Sequence, residues 1–559
     1  MFSWIKGRHS IKIGGELSLN KDIQETLLNN YGVFSFSGSG ATNNALANFL
    51  IGLPTGLTQD APVKGYTNSW YSAIFVQDDF RLNSRVTLNL GLRWDVQTAP
   101  TDPENRVVNY VPGQQSTVRP DAPVGALFYG DPGVERGGIP TSYNHFSPRF
   151  GIAWDPFGDG KTSVRAAAGL FYGSISGNEW NTMTNFQPFS TRLNFSGINL
   201  ATSSNGWKGA TLSDPYNNFP GGDPFPYTGA FGTGGGLFAV AQDFSWPRTF
   251  QTNVSVQREL IKNLTVGIAY VGTRGYNLPF GRDVNYPVLT PTATTGNVNA
   301  RRPNTGFGAV TLLDSDQRAW YDGMQLTSAG RFGKFFSFNA FYVFSKTLSS
   351  VELFNNTTQG LAQNYTRLDL EKGRGDTDQR HVFSMSMNFR PDFYKGDNRF
   401  TKAILNGWSL SPIIKLRSGR PFTVTNGNVD ANLDGVTTDR AQLIGDPHID
   451  NPTAARWFNT AAFVQNPIVT GVATDGNSAR NLLTGPGYKA VDLALSRDFR
   501  FGERFKLQLR AEGTNIFNFV NYDQPNASAP AAGTTSSTFG VISSAGSMRK
   551  LQFGARLIF

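Results

Sequence analysis

Along most of the chain apolar and polar positions alternate with a period of two, the mark of strands with one apolar face. From Arg85 onward, Val86, Leu88, Leu90, Leu92 and Trp94 share one face, while Thr87, Asn89, Gly91, Arg93 and Asp95 share the other. The division recurs: Val164, Ala166, Ala168, Leu170 and Tyr172 oppose Ser163, Arg165, Ala167 and Gly169, and Leu264, Val266, Ile268 and Tyr270 oppose Thr265, Gly267 and Ala269. Near the end Phe505, Leu507, Leu509 and Ala511 oppose Lys506, Gln508, Arg510 and Glu512, and Leu551, Phe553, Ala555, Leu557 and Phe559 line one face of a last strand. The pattern predicts an all-β chain with about fourteen such strands.

A soluble sandwich alternates in the same way, so the connections have to decide. Short links (Leu82-Asn83-Ser84, Phe157-Gly158-Asp159-Gly160, Leu260-Ile261-Lys262, Phe332-Gly333-Lys334, Phe501-Gly502-Glu503) tend to alternate with excursions of tens of residues. The excursions run roughly over 20–69, 97–146, 174–248, 275–320, 349–379 and 425–487, and the link 392–405 fits least well. Short turns at one end and long loops at the other are the habit of outer-membrane barrels. Direction gives a second test: strands leaving the short links end, on their apolar face, in Trp94, Tyr172, Tyr270, Tyr342 and Phe517, where aromatics of an outer interface are expected.

Composition narrows the field. The 559 residues include no cysteine, which removes disulfide scaffolds, thiolate metal sites and cysteine nucleophiles. Charged residues are only 16% and aromatics 13%, so a water-facing surface would be short of charge. No apolar run approaches the ~20 residues of a membrane-spanning helix, and mean hydropathy is −0.30. The net charge of +9 comes from singly scattered Lys and Arg, without the basic patch that nucleic acid requires.

On Leu92-Arg93-Trp94-Asp95, His145-Phe146-Ser147-Pro148-Arg149-Phe150-Gly151, Gly158-Asp159-Gly160-Lys161, Ser418-Gly419-Arg420-Pro421-Phe422-Thr423, Glu512-Gly513-Thr514-Asn515-Ile516-Phe517-Asn518 and Phe553-Gly554-Ala555-Arg556-Leu557-Ile558-Phe559, the chain resembles the β-barrel part of TonB-dependent outer-membrane transporters, particularly their Oar-like branch. The resemblance implies a transmembrane antiparallel β-barrel of about 22 strands, with periplasmic turns, extracellular loops and a terminal Phe559 read by the barrel-insertion machinery. Such transporters also carry a signal peptide, a plug and a TonB-contacting segment. None is recognisable here, and Met1-Phe2-Ser3-Trp4-Ile5-Lys6 lacks a signal's features. Residues 1–559 are therefore expected to be one barrel domain, truncated at its amino end, that reaches TonB only through the missing part.

Candidate sites are few. Asp430-Ala431-Asn432-Leu433-Asp434-Gly435 matches the first half of a calcium loop and makes Asp430, Asn432 and Asp434 candidate ligands of a structural calcium. The closing glutamate is missing, since the twelfth position is Ala441; Asp439 is a candidate substitute, although its place in the loop is wrong for the usual geometry. The excursion after Ser174 is rich in aromatics, among which Trp180, Trp207, Tyr216, Tyr227 and Trp246 are candidates for ligand contact; self-packing of so long a loop is the competing reading. The inward charges Arg93, Asp95, Arg165, Lys506, Arg510 and Glu512 suit a hydrated or plugged lumen.

Catalytic motifs fail on inspection. Gly160-Lys161-Thr162 lacks the leading glycine of a phosphate loop, the four histidines have no helical metal-ligand spacing, and there is no Gly-x-Ser-x-Gly elbow, so no enzyme is expected. The expected function is uptake of a scarce ligand (iron chelate, cobalamin, carbohydrate or peptide) across the bacterial outer membrane, with lipid as the surrounding partner. A passive porin-like channel and a surface barrel for adhesion or carbohydrate binding are the rivals.

Overall fold

The computed structural model describes all residues except 28, 175–176, 197, 200–207, 220–221, 226, 233, 351–361, 502–504 and 532. Fifteen strands form one long antiparallel sheet: β1 (Phe2–Lys6), β2 (His9–Thr26), β3 (Val63–Arg81), β4 (Val86–Gln97), β5 (Ser142–Trp154), β6 (Thr162–Tyr172), β7 (Arg248–Ile261), β8 (Leu264–Asp283), β9 (Val310–Phe332), β10 (Phe336–Ser349), β11 (His381–Phe389), β12 (Trp408–Arg417), β13 (Tyr488–Phe501), β14 (Phe505–Thr514) and β15 (Lys550–Ile558). Each pairs with the next along the chain. Among the described residues no ladder joins β1 to β15, so the sheet is open at that seam.

Register fixes the faces, because residues directly opposite in an antiparallel pair point the same way. Trp94 lies opposite Ile74 and Phe146, Leu92 opposite Val76 and Pro148, and Leu90 opposite Phe150 and, near the short-turn end, Asp78, so one side of the sheet is apolar between its ends. That side is the exposed one: Leu17 is 72% and Phe553 77% accessible, whereas Asp95 on the other side is 7%. The wall is thus inverted relative to a soluble protein, as a surface solvated by acyl chains must be. Its backbone is satisfied by neighbouring strands except at the two open edges.

The connections alternate strictly. Residues 7–8, 82–85, 155–161, 262–263 and 333–335 link strands at one end, and 27–62, 98–141, 173–247, 284–309, 350–380, 418–487 and 515–549 at the other. Asn263, at φ 65°, supplies the left-handed conformation a two-residue hairpin needs. At the Gly158–Gly160 turn the Asp155 carboxylate accepts from both glycine amides at 2.9 Å, a turn device in place of phosphate binding. The poorly fitting link 390–407 is longer because it carries a helix, Arg399–Leu405, capped by the Asn398 side chain.

The structure differs from the sequence expectation in three places. Several strands outrun the 9–11 residues a bilayer requires: β9 has 23 and β8 has 20. The β2–β3 ladder continues to Thr26 opposite Val63, where an excursion was expected from about residue 20. The β1–β2 hairpin at the amino end and the loop 515–549 were not anticipated.

Apolar cores of the ordinary kind lie in the loops. One joins Trp180, Met183, Phe238, Val240, Phe244 and Trp246; a second joins Val108, Ala126, Phe128, Leu237, Phe307 and Val310. A third joins Phe422, Phe458, Phe463, Ala529 and Phe539. Short strands stitch these loops to the wall, such as Leu237–Val240 running parallel to the start of β9. The long-loop end is a folded cap.

Candidate functional site: inner wall and loop cap

The inner face carries charges paired across and along strands. Arg93 donates from Nε to Asp95 Oδ1 at 2.7 Å and from Nη2 to Glu16 Oε2 at 3.0 Å and to the Tyr71 hydroxyl at 2.6 Å. Tyr71 in turn donates to Asp95 Oδ1 at 2.5 Å. Further along the wall, Lys12 reaches Asp79, which also accepts from Asn89 and Gln77. Lys415 pairs with Asp492 at 2.9 Å, Lys506 with Asp498 at 2.8 Å, and Arg510 with Glu512. Arg165 bonds Ser163 Oγ on its own strand. Such balanced charge suits a hydrated or plugged space and does not make it strongly selective for one sign of ion. A hollow of about 830 Å³ opens against this face, lined among others by Ser386, Ser411, Asp492, Arg510, Glu512 and Gln552.

The aromatics expected at an outer interface occupy varied places. Trp94 packs beside Phe146 on the apolar face and donates from Nε1 to the Tyr143 carbonyl at 2.7 Å. Tyr270 donates to Asp322 at 2.5 Å, and Tyr342 shares a 2.7 Å hydrogen bond with His381. Tyr172 stacks on the buried His145 ring at 4.4 Å. Phe517 lies beyond the end of β14, exposed in a turn where Asn515 and Asn518 have positive φ. Phe559 is exposed just past β15, in step with the outward Leu551, Phe553, Ala555 and Leu557.

The loop candidates for ligand contact divide. Trp180 and Trp246 are buried, each edge-on to Phe244, and so are cap core and unavailable to a ligand in this conformation. Tyr216 is half-buried with its hydroxyl donating to Gln59 Oε1, and Tyr227 is half-buried and donates to the Ala230 carbonyl. Trp207 lies outside the described residues. A cleft of about 320 Å³ in the cap is lined by Asp60, Phe186, Gln187, Ser190 and Arg192, with Arg192 clamped on the buried Asp60 at 2.7 and 3.0 Å. Nothing in residue spacing pointed to this pair, which is brought together from loops 27–62 and 173–247.

The polar side chains of the acidic loop, Asp430, Asn432, Asp434 and Asp439, are buried. Asp430 accepts from the amides of Asp434 (3.0 Å) and Gly435 (2.9 Å), with Leu433 at φ 63° and Gly435 at φ 89°. Asp439, expected to be out of place, folds back so that its Oδ2 accepts from the amides of Ala431 (2.7 Å) and Asn432 (3.2 Å). Asn432 donates to the Gln363 carbonyl at 2.7 Å. Burial, reinforced by Asp430, pushes the Asp434 carboxyl up to about 7, and burial with repulsion from Asp434 pushes Asp439 up to about 8. Burial also raises the phenol of Tyr286, which Asp434 faces. Among the described residues, no three His, Asp or Glu side chains are gathered as a ready metal cluster.

A family model described as an outer membrane beta barrel domain matches residues 1–552, and the chain belongs to that family. It is a protein of the bacterial outer membrane. Among solved structures it is similar to the outer membrane transporter YddB from Escherichia coli, at 11% identity and a TM-score of 0.51, over 100% of this chain and 52% of that one. It is also similar to FpvA of P. aeruginosa bound to heterologous pyoverdines (10% identity, TM-score 0.45, 100% and 46% covered) and to the siderophore receptor PiuA from Acinetobacter baumannii (9%, 0.44, 100% and 54%). The likeness to YddB is one of fold. The chain spans about half the length of these structures. No curated protein matches it.

Proposed function

We propose that this chain is the carboxyl-terminal barrel wall of a TonB-dependent outer-membrane transporter, which takes up a scarce ligand captured by the long loops. The observation that carries the reading is the inner wall: a ladder of paired charges along one face of a sheet that fifteen strands leave open. In lipid an open edge costs several kcal/mol per unpaired backbone group, so further strands are expected to complete the wall and to leave room for a plug. Capture by the loops, rearrangement of the plug under TonB and passage along the polar wall then follow in order; no step is enzymatic. Iron chelates, cobalamin, oligosaccharides and peptides all suit such a wall, because specificity resides in loops and plug.

The test is accumulation of labelled iron chelates, cobalamin, maltooligosaccharides and oligopeptides by cells with and without the gene, each with TonB intact and deleted. The reading expects gene-dependent accumulation of one class that vanishes without TonB. Accumulation indifferent to TonB, with steady conductance of the purified chain in planar bilayers, would establish a passive channel instead. Surface binding without accumulation would establish an adhesion barrel.

A further inference from the structure

From the acidic loop of the cap we infer a structural calcium site closed by Asp439, independent of what the barrel transports. Asp434 and Asp439 are 2% and 1% exposed; Asp439 Oδ1 is buried without a hydrogen-bond partner, and Asp434 Oδ2 is buried with only the Tyr286 hydroxyl near it and no hydrogen bond of good geometry. A buried polar atom left unpaired costs roughly as much as a lost hydrogen bond, and an anionic one more. The other oxygen of each carboxylate is already held by backbone amides, Val436 on Asp434 and Ala431 and Asn432 on Asp439, which leaves the remaining oxygens for something else.

Among the described residues no protein cation answers them, since none of the ion pairs includes Asp430, Asp434 or Asp439. The adjacent Arg440 turns away to pair with Glu371 at 2.9 Å. Arg301 reaches the loop only through the Leu433 carbonyl. On its other side the loop meets the apolar cluster of Phe280, Ala362 and Tyr365, against which Val436 packs, so the three carboxylates are held back from bulk solvent. A hard divalent cation taking oxygen ligands, with Asn432 Oδ1 and backbone carbonyls completing its shell, meets these conditions; the larger, geometrically tolerant calcium suits a loop of this irregularity better than magnesium. The site then ties loop 418–487 to loops 284–309 and 350–380, which contribute Arg301 and Gln363.

The test uses the full chain purified from outer membranes in detergent, with calcium alone as probe. Calcium should raise the melting temperature saturably, chelator should reverse it, and magnesium should do far less. Terbium should bind at the same site and emit on excitation of tyrosine, with Tyr286 beside Asp434, and calcium should displace it. Asp434→Asn and Asp439→Asn, each near-isosteric, should keep strand content by circular dichroism yet lose the calcium response. Absence of a saturable response at millimolar calcium would overturn the site. So would a response that survives both substitutions, which would mark surface binding, or an Asp434→Asn chain as stable as wild type at every calcium concentration, which would mean the carboxyls are simply protonated.

Discussion

Arg93 and Asp95 meet on the inner face of the wall, 2.7 Å apart from Nε to Oδ1, while Trp94 between them stands on the opposite, apolar face. One three-residue stretch thus carries both halves of the architecture. Asp95 also receives the Tyr71 hydroxyl and, at 3.3 Å, the Ser147 hydroxyl, so removing its carboxylate takes the acceptor from three donors at once. Asp95→Ala should cost on the order of 2 kcal/mol, read from urea unfolding of the chain inserted in phospholipid bilayers. The same substitution on a Tyr71→Phe background should cost less, because part of the network is already gone. Full additivity would mean the network is not coupled.

The two faces should respond oppositely to charge. Val256 lies opposite Val164 and Ile268 on the apolar side, and its neighbour Gln257 lies opposite Ser163 and Gly267 on the inner side. Val256→Arg is expected to destabilise the inserted chain by about 2–4 kcal/mol, and Gln257→Arg by far less. Equal costs in bilayer unfolding would contradict the inverted wall.

Strand faces were legible in the sequence because a side-chain period of two survives whatever the neighbours are, and the alternation through Val86, Leu88 and Leu90 needs no register. The ends of the strands were not. Once a strand clears the acyl region its inner face packs on polar groups of the cap, as Thr67 does on Asn181, so residues 20–26 and 63–69 show no apolar alternation although they pair. Partners were equally hidden: Tyr71 and Glu16 join Arg93 only through register, and Asp439 closes the acidic loop by a fold-back that linear spacing cannot display. The aromatic crowd in loop 173–247 was readable as self-packing, but which members are buried depends on contacts with loop 98–141 and β9.

Trp246 tests the cap as a folded unit. It is buried against Phe244 and edge-on to His145, which links loop 173–247 to β5. Trp246→Ala should cost about 3–5 kcal/mol of cap stability and expose the loops to protease on intact cells, with the strands still protected. Tyr227→Ala, removing only a half-buried ring and its bond to Ala230, should leave protease resistance nearly unchanged. Cleavage rates that rise equally in both variants would argue against a shared loop core.

Acid should loosen the cap through Asp131. Its buried carboxylate accepts from the amides of Thr117 (2.6 Å), Val118 (3.1 Å) and Phe128 (2.8 Å) and from the hydroxyls of Ser116 (2.6 Å) and Thr117 (2.8 Å). Burial works against the charged form, but these donors outweigh it and hold the carboxyl well below the usual carboxylate range. The cations on either side along the chain are engaged elsewhere, Arg136 with Asn105 Oδ1 at 3.0 Å and Arg119 with Asp121 at 2.8 Å. Because the folded value is depressed, the stabilisation is complete above the unfolded value near 4 and drains away as pH falls toward the folded one. Amide exchange in segment 116–131 should therefore stay slow, after correction for intrinsic rates, down to about pH 4 and accelerate below it. Asp131→Asn should lose on the order of 2 kcal/mol of local stability at neutral pH and flatten that acid limb. An unchanged limb in the variant would place the acid sensitivity elsewhere in the cap.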